Sequence, residues 1–130
     1  MPSIFTRIVN GEIPCYKIAE TKDYFAFLDV RPQQLGHTLV IPKKEIDYIF
    51  DMDDKLLKGM MVFAKRVAKA VEKTVPCKRI GIAVVGLEVP HAHIHLMPLN
   101  TVSDLGFGKN LTISADEMKA LANEIAANFE

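Results

Sequence analysis

Three of the four histidines in the chain lie in one short run, His91–Ala92–His93–Ile94–His95. Alternate side chains of a β-strand point to the same face. We therefore expect His91, His93 and His95 on one face, and the apolar residues between them on the core face. Three imidazoles placed side by side on a surface or in a cleft bring no packing benefit, so the run indicates a chemical function such as ligand binding or catalysis.

Two kinds of chemistry fit this spacing. Alternate histidines on a strand can supply two or three nitrogen ligands to zinc. Alternatively, neutral imidazole, with an ordinary pKa of about 6.5, is a competent nucleophile towards phosphorus near neutral pH. Neighbouring rings could then donate hydrogen bonds to phosphate oxygens or protonate the leaving group. The spacing alone leaves both possibilities open.

The elements that must position this run are mostly short strands. Tyr24–Leu28 is aromatic-rich and bounded by aspartates, and His37–Ile41 is β-branched and closed by a proline, so each predicts a strand. Arg31–Gly36 between them is typical of a turn. Two further strand-like runs cover Arg79–Val85 and His91–Met97.

Two segments have helical periodicity. From Asp53 to Val75 apolar residues recur at steps of three and four, acidic residues stand at the start, and Pro76 ends the pattern. A second helix is predicted to begin at Ser114, whose spacing to Glu117 matches a capping box. Its apolar stripe comprises Met118, Leu121, Ala122, Ile125 and Phe129.

Hairpin-linked strands around one long helix predict an α+β domain with an antiparallel sheet. The length of 130 residues and the hydrophobic content of 49% suit one domain over residues 1–130, with a single core. We interpret the segment from residue 100 to 130 as a C-terminal extension that carries the capped helix.

The overall composition indicates which classes of binding partner and which cellular compartment to expect. Sixteen basic and sixteen acidic residues balance, which argues against long nucleic acid or an acidic membrane as the partner. The sequence has no apolar leader or long apolar run, and Cys15 and Cys77 are predicted to be reduced thiols. We therefore expect a cytoplasmic protein.

A family resemblance decides between the two chemistries. His91–Met97 matches the His-φ-His-φ-His-φ-φ signature (φ, apolar) of the histidine-triad, or HIT, nucleotide-binding proteins. Three further blocks, Ile4–Pro14, Phe25–Pro32 and Gly36–Lys44, resemble the segments that precede the triad in that family. The matches occur in family order and together cover most of residues 4–98.

The resemblance implies a fold and an assembly. It implies an antiparallel sheet packed with one long and one shorter helix, which agrees with the elements predicted above. It also implies a homodimer in which two sheets join into one layer. A dimer of this kind would cover an otherwise exposed sheet edge, which gives a physical reason to expect it.

The resemblance further implies a hydrolase of purine nucleoside phosphoramidates or related nucleotidyl conjugates, acting on an AMP-type nucleotide without metal or other cofactor. His93 corresponds to the nucleophile that transiently bonds a nucleoside monophosphate. His95 is expected near the phosphate and leaving group, and His91 as a supporting ring. His37 is expected to form a hydrogen bond to the triad and to orient it.

The nucleotide is expected to bind beside these histidines. Asp29 corresponds to the acid that accepts hydrogen bonds from the ribose hydroxyls. The residues that correspond to the apolar base pocket of the family are Phe5, Ile8, Ile13, Phe27, Val30 and Leu39.

The sequence also departs from the family pattern. Ser3 and Thr6 replace a Cys-x-x-Cys pair that helps many bacterial members to bind structural zinc, so that zinc site is not expected. Val84–Gly86 replaces an Asn-containing, glycine-rich phosphate loop. Leu87 and Glu88 stand where the family commonly has Gln and, in some members, Ser, and neither residue suits a phosphate.

These departures motivate an alternative function, a nucleotide-binding or regulatory protein with little turnover. A third class, a metal-binding protein that uses His91, His93 and His95, is disfavoured because the wider family match explains the histidines without a metal. Gly106–Asn110 contains two glycines and a lysine but lacks the full phosphate-loop pattern, and we interpret it as a loop.

Overall fold

The computed structural model describes residues 2–130. Within these residues, three α-helices and five strands, with two short 3-10 turns, follow one another. In order they are α1 (Ile4–Val9), β1 (Lys17–Glu20), β2 (Tyr24–Leu28), β3 (Thr38–Pro42), a turn (Ile49–Asp51), α2 (Asp54–Thr74), β4 (Arg79–Ala83), β5 (Ile94–Leu99), a second turn (Val102–Leu105) and α3 (Ala115–Ala127).

The strands form one antiparallel sheet in the order β1-β2-β3-β5-β4. Phe27 of β2 lies opposite Leu39 of β3, and Leu39 in turn lies opposite His95 of β5. This register places the predicted pocket residues and the triad on neighbouring strands. The sheet confirms the predicted α+β class and its antiparallel topology.

Both predicted helices are confirmed, and capping explains where they begin. The side chain of Asp53 accepts a hydrogen bond from the amide of Leu56 at the start of α2, and Ser114 accepts one from the amide of Glu117 at the start of α3. Such caps satisfy amide groups that have no partner within the helix.

Two apolar clusters lie in the structure. The larger one contains the buried faces of α2 and α3 and also Ala92, Ile94 and Leu96. The smaller one lies under α1. The alternation predicted for the histidine run is therefore confirmed. Its apolar residues belong to the main core, and its imidazoles lie on the opposite side of the sheet, which faces α1.

Strand β5 begins at Ile94, three residues later than predicted. β3 ends at Pro42, which has no amide hydrogen, and β4 ends at Ala83 opposite His95. The amide of Ala92 instead donates to the carbonyl of Ile46 at 2.7 Å. His91 and His93 are thus held by loop and side-chain contacts rather than by the sheet.

The sequence did not predict α1 and β1. Both elements are too short, at six and four residues, to show a helical or alternating apolar period. Both cysteines are free thiols, as predicted. Across residues 2–130, every helix falls short of the length and apolarity that crossing a bilayer demands.

Candidate active site

The four histidines meet in a buried cluster on the α1 side of the sheet. Their exposed fractions are 1% for His37, 0% for His91, 7% for His93 and 9% for His95. The ring centroids of His93 and His95 lie 4.9 Å apart, and those of His37 and His95 lie 5.2 Å apart. The imidazoles are thus almost completely buried and do not lie on an open surface.

The ring of His93 is held in one tautomer by the main chain. Its Nδ1 lies 2.8 Å from the carbonyl oxygen of His91. A carbonyl oxygen only accepts, so Nδ1 must carry the proton and donate it. In the neutral ring the lone pair is then on Nε2, which is the atom that a nucleophile needs to have free.

His95 has the opposite tautomer, set through His37. The amide of Gln33 donates to His37 Nδ1 at 3.2 Å. His37 Nε2 therefore carries a proton and donates it to His95 Nδ1 at 2.9 Å, which is the hydrogen bond to the triad that the resemblance implies. The proton of His95 consequently lies on Nε2, and His95 presents a donor where His93 presents a lone pair.

Burial keeps the hydrogen-bonded pair of His37 and His95 uncharged. It lowers the pKa of His37 and of His95 to about 4, and the positive charge that His93 would carry adds to the effect. Burial also lowers the pKa of His91. Near neutral pH, His37 and His95 therefore donate and accept as uncharged rings.

Asp29 follows β2 and lies at the His37 end of the cluster. Its Oδ2 is 3.6 Å from His37 Nε2, and its Oδ1 accepts from the amide of Arg31 at 2.9 Å. Burial raises the pKa of this carboxyl, although a fifth of the side chain is exposed (20%). The carboxylate can accept further hydrogen bonds from a ligand in the cleft.

The ligand atoms of Asp29, His37 and His95 also lie within 4.8 Å of one another, so this set could hold a metal ion. It is not the set expected for a metal-binding protein, because His91 and His93 do not belong to it. Both ring nitrogens of His91 are already engaged, one by the carbonyl of Pro42 and one by the hydroxyl of Ser3.

Most of the predicted base-pocket residues lie together. Phe5, Ile8, Phe27 and Leu39 belong to the cluster under α1, and Ile13 packs against it. Val30 lies outside this cluster, with 68% of its surface exposed. The ring of Phe5 meets His93 edge-on at 5.1 Å, so the apolar cluster directly adjoins the triad.

An aromatic row crosses the site. Ring centroids lie 5.1 Å apart between Phe5 and His93, 4.9 Å between His93 and His95, and 5.0 Å between His95 and Phe107. Phe107 belongs to the segment that the sequence predicted as a loop. Leu111, directly after this loop, donates from its amide to the carbonyl of Pro32, which holds the end of the loop beside the turn after Asp29.

The sequence did not identify the residues around His91. Ser3, Thr6 and Glu45 surround its Nδ1 side, although they are distant from it in sequence. Serine is a favoured N-cap residue, and this preference is the only local signal that Ser3 carries. Glu45, in contrast, carries no local signal, since only the fold brings it to α1.

Leu87 and Glu88, two of the departures from the family pattern, do not pack in the site. Leu87 is 87% exposed, and Glu88 is exposed as well. Gly86, which precedes them, has a φ of +73°, a conformation that glycine adopts without strain. This turn follows the end of β4 and presents both side chains to solvent.

Comparisons with known proteins agree with this architecture. The model of the HIT domain matches residues 10–102. The chain is 37% identical to an adenosine 5'-monophosphoramidase of Schizosaccharomyces pombe, with 100% of both chains covered. It is 34% identical to a HIT-like protein of Borreliella burgdorferi, with 97% of both chains covered.

A solved structure matches equally fully. It is that of a HIT-like protein involved in cell-cycle regulation from Bartonella henselae, at a TM-score of 0.85 and 30% identity, covering 98% of this chain and 96% of that one. The domain match, the full-length similarity and the shared fold agree with the triad geometry. The chain belongs to the HIT family.

Proposed function

We propose that this protein hydrolyses purine nucleoside phosphoramidates or related nucleotidyl conjugates through a covalent bond to His93. The tautomer of His93 is the observation that carries the proposal. The carbonyl of His91 holds the proton on Nδ1, so the Nε2 lone pair is free beside an apolar pocket and a carboxylate. The phosphoramidase activity named for the Schizosaccharomyces pombe relative supports the same chemistry.

The apolar cluster under α1 binds the base of the nucleoside, and Asp29 binds its ribose. The base packs against Phe5, Ile8 and Phe27, with Ile13 and Leu39 around them. Asp29 accepts hydrogen bonds from the ribose hydroxyls, which fixes the α-phosphorus beside the triad. This binding makes the attack effectively intramolecular.

The reaction proceeds in two displacements. His93 Nε2 forms a bond to the α-phosphorus while the phosphorus–nitrogen bond to the leaving amine breaks, and the amine takes up a proton from solvent. The Nε2–H of His95 donates to the phosphoryl group or leaving group as charge develops. Water then attacks phosphorus, the bond to His93 breaks, and a nucleoside monophosphate and a proton are released.

The direct test compares His93→Ala with the unaltered protein, using adenosine 5'-phosphoramidate and following AMP release. We expect loss of release with retained AMP binding, and a quenched reaction of the unaltered protein should carry one adenylyl group on His93. Lys119→Ala, on the exposed face of α3, is the control and should keep the activity. Equal release by the His93→Ala variant would overturn the nucleophile assignment.

A second function remains a candidate, namely nucleotide binding with little turnover. The exposed Leu87 and Glu88 favour it, because neither side chain supplies a phosphate donor. In that case His93 would still be adenylylated once, but steady-state release would be slow. Rapid repeated turnover by the unaltered protein would exclude this function.

We also propose that the protein is a homodimer. Strand β4 is an edge of the sheet, and its Ile82 lies beside Met61 and Val62 of α2 in an exposed apolar groove. An unpaired strand edge next to apolar surface favours pairing with a second copy.

A further inference from the structure

The beginning of α1 is joined to the triad by a group of hydrogen bonds that the proposed mechanism does not use. Ser3 Oγ lies 2.7 Å from His91 Nδ1. Oε1 of Glu45 accepts from the amide of Ser3 and from the hydroxyl of Thr6, each at 2.6 Å. We refer to Ser3, Thr6 and Glu45 as the N-terminal cluster.

Each polar atom around His91 has a fixed role. His91 Nε2 lies 2.8 Å from the carbonyl oxygen of Pro42, so Nε2 carries the proton and donates it. His91 Nδ1 must then accept, and the Ser3 hydroxyl is its donor. The same hydroxyl oxygen accepts from the amide of Thr6 at 3.0 Å, which caps α1.

His91 is therefore fixed on both sides of its ring and is fully buried. Its main chain supplies the carbonyl that holds the Nδ1 proton of His93 at 2.8 Å. The N-terminal cluster also fixes the start of α1, and the next residue, Phe5, packs its ring on His91 at 5.7 Å and on His93 at 5.1 Å. The same few hydrogen bonds thus fix the donor-acceptor state of the nucleophile and one wall of the pocket.

We infer that Ser3 and Glu45 are positioning residues, which act through His91 to keep His93 in the tautomer that leaves Nε2 free. Ser3 acts directly by donating to His91, and Glu45 acts by holding Ser3 and Thr6 in place. The inference rests on the proposed role of His93, and it adds residues from two segments far from the triad in sequence. Ser3 and Glu45 do not touch the reacting atoms.

The test uses Ser3→Ala and Glu45→Ala, each with a conservative partner. Ser3→Thr keeps a hydroxyl, and Glu45→Gln keeps an oxygen that accepts both hydrogen bonds. We expect Ser3→Ala to lower kcat for adenosine 5'-phosphoramidate by roughly 10- to 100-fold, the range typical of lost orientation. We expect Ser3→Thr and Glu45→Gln to retain most of it. Matched controls are Ser103→Ala and Glu124→Ala, both of exposed side chains.

The decisive readout is the state of the imidazole nitrogens, measured by ¹⁵N NMR. In the unaltered protein His93 should be protonated on Nδ1, and in Ser3→Ala a fraction should shift to Nε2. A variant that folds, retains kcat and keeps the His93 tautomer would overturn the inference. If Ser3→Ala does not fold, the Glu45→Ala and Glu45→Gln pair decides the question by the same measurements.

The two proposals fail in distinguishable ways. If the unaltered protein does not release AMP from the phosphoramidate, the proposed function fails, while the ¹⁵N spectra still show whether Ser3 controls the His93 tautomer. If the unaltered protein turns over and Ser3→Ala equals it in rate and tautomer, only the positioning inference fails.

Discussion

At the scale of single residues, main-chain groups decide where the protons of the site lie. The amide of Gln33 can only donate, and the carbonyls of Pro42 and His91 can only accept. These three groups assign a tautomer to every imidazole in the cluster. His93 and His95 are therefore chemically different, although the alternating spacing alone does not distinguish them.

The neutral state of His37 and His95 predicts a pH-dependent stability. Folding lowers the pKa of both groups from an ordinary 6.5 to about 4. Between these values the unfolded chain binds protons that the folded chain does not. The contribution of these two histidines to the free energy of unfolding is therefore fully present above pH 6.5. It decreases as the pH falls towards 4, by at most about 1.4 kcal/mol per pH unit for each histidine.

Chemical denaturation at several pH values between 7 and 4 measures this slope. His37→Gln should show a shallower slope than the unaltered protein, whatever its absolute stability. Identical slopes would contradict the assignment of His37 as a neutral buried group.

Asp29 predicts discrimination by sugar. Its carboxylate accepts a hydrogen bond from the Arg31 amide and is partly exposed beside His37. Asp29→Ala should weaken AMP binding about tenfold or more, as expected for the loss of a charged hydrogen-bond acceptor. It should weaken 2'-deoxy-AMP binding much less, since that ligand has already lost one hydroxyl donor. Titration calorimetry with both nucleotides measures the difference, and equal losses for both would remove Asp29 from the ribose site.

At the scale of elements, the long helix α2 contacts the sheet at very short range through Gly59. The Tyr24 ring stacks on Phe63 at 5.6 Å, and its hydroxyl donates to the carbonyl of Leu56 at 2.9 Å. A Cβ on Gly59 would lie 2.0 Å from that hydroxyl oxygen. The glycine is therefore a requirement of close packing between α2 and β2.

Gly59→Ala should accordingly destabilise the protein, by about 1–3 kcal/mol, because overpacking forces Tyr24 to move. This sign is the opposite of the gain of about 1 kcal/mol that alanine gives in an unhindered helix. Thermal or chemical unfolding measures it, with Lys58→Ala on the exposed side of α2 as the control. In a Tyr24→Phe background the cost of Gly59→Ala should decrease, and an unchanged cost would contradict the proposed clash.

The elements that sequence could predict are those with local signals. Helices α2 and α3 carry caps and long apolar periods, so their starts at Asp54 and Ala115 lie close to the predicted ones. The start of β5 depends instead on Pro42 and Ala83 in its partner strands, which no local pattern reveals. The triad motif selects the histidines to which the proposed function assigns roles, whereas their tautomers depend on Gln33, Pro42 and Ser3, which the motif does not include.

At the scale of the whole molecule, the proposed dimer is the feature most open to direct measurement. Val62 on α2 and Ile82 on β4 are exposed beside the unpaired edge of the sheet. We expect the unaltered protein to sediment as a dimer and Val62→Glu to sediment as a monomer, because a buried unpaired charge is costly at an interface.

Val102→Glu provides the matched control for sedimentation, since Val102 is also exposed but lies in the turn after β5. This variant should remain dimeric. A monomeric unaltered protein, or dissociation by both substitutions alike, would contradict the assignment of the interface to β4 and α2.

The aromatic row has an optical consequence. The chain contains no tryptophan, so an indole introduced by F107W would be the single chromophore excited at the red edge of protein absorption. It would stand at the exposed end of the row, edge-on to His95, where the proposed mechanism places the phosphoryl or amine group. Its fluorescence would then report the binding and release of ligand beside His95, because no other indole in the protein would emit at this excitation wavelength.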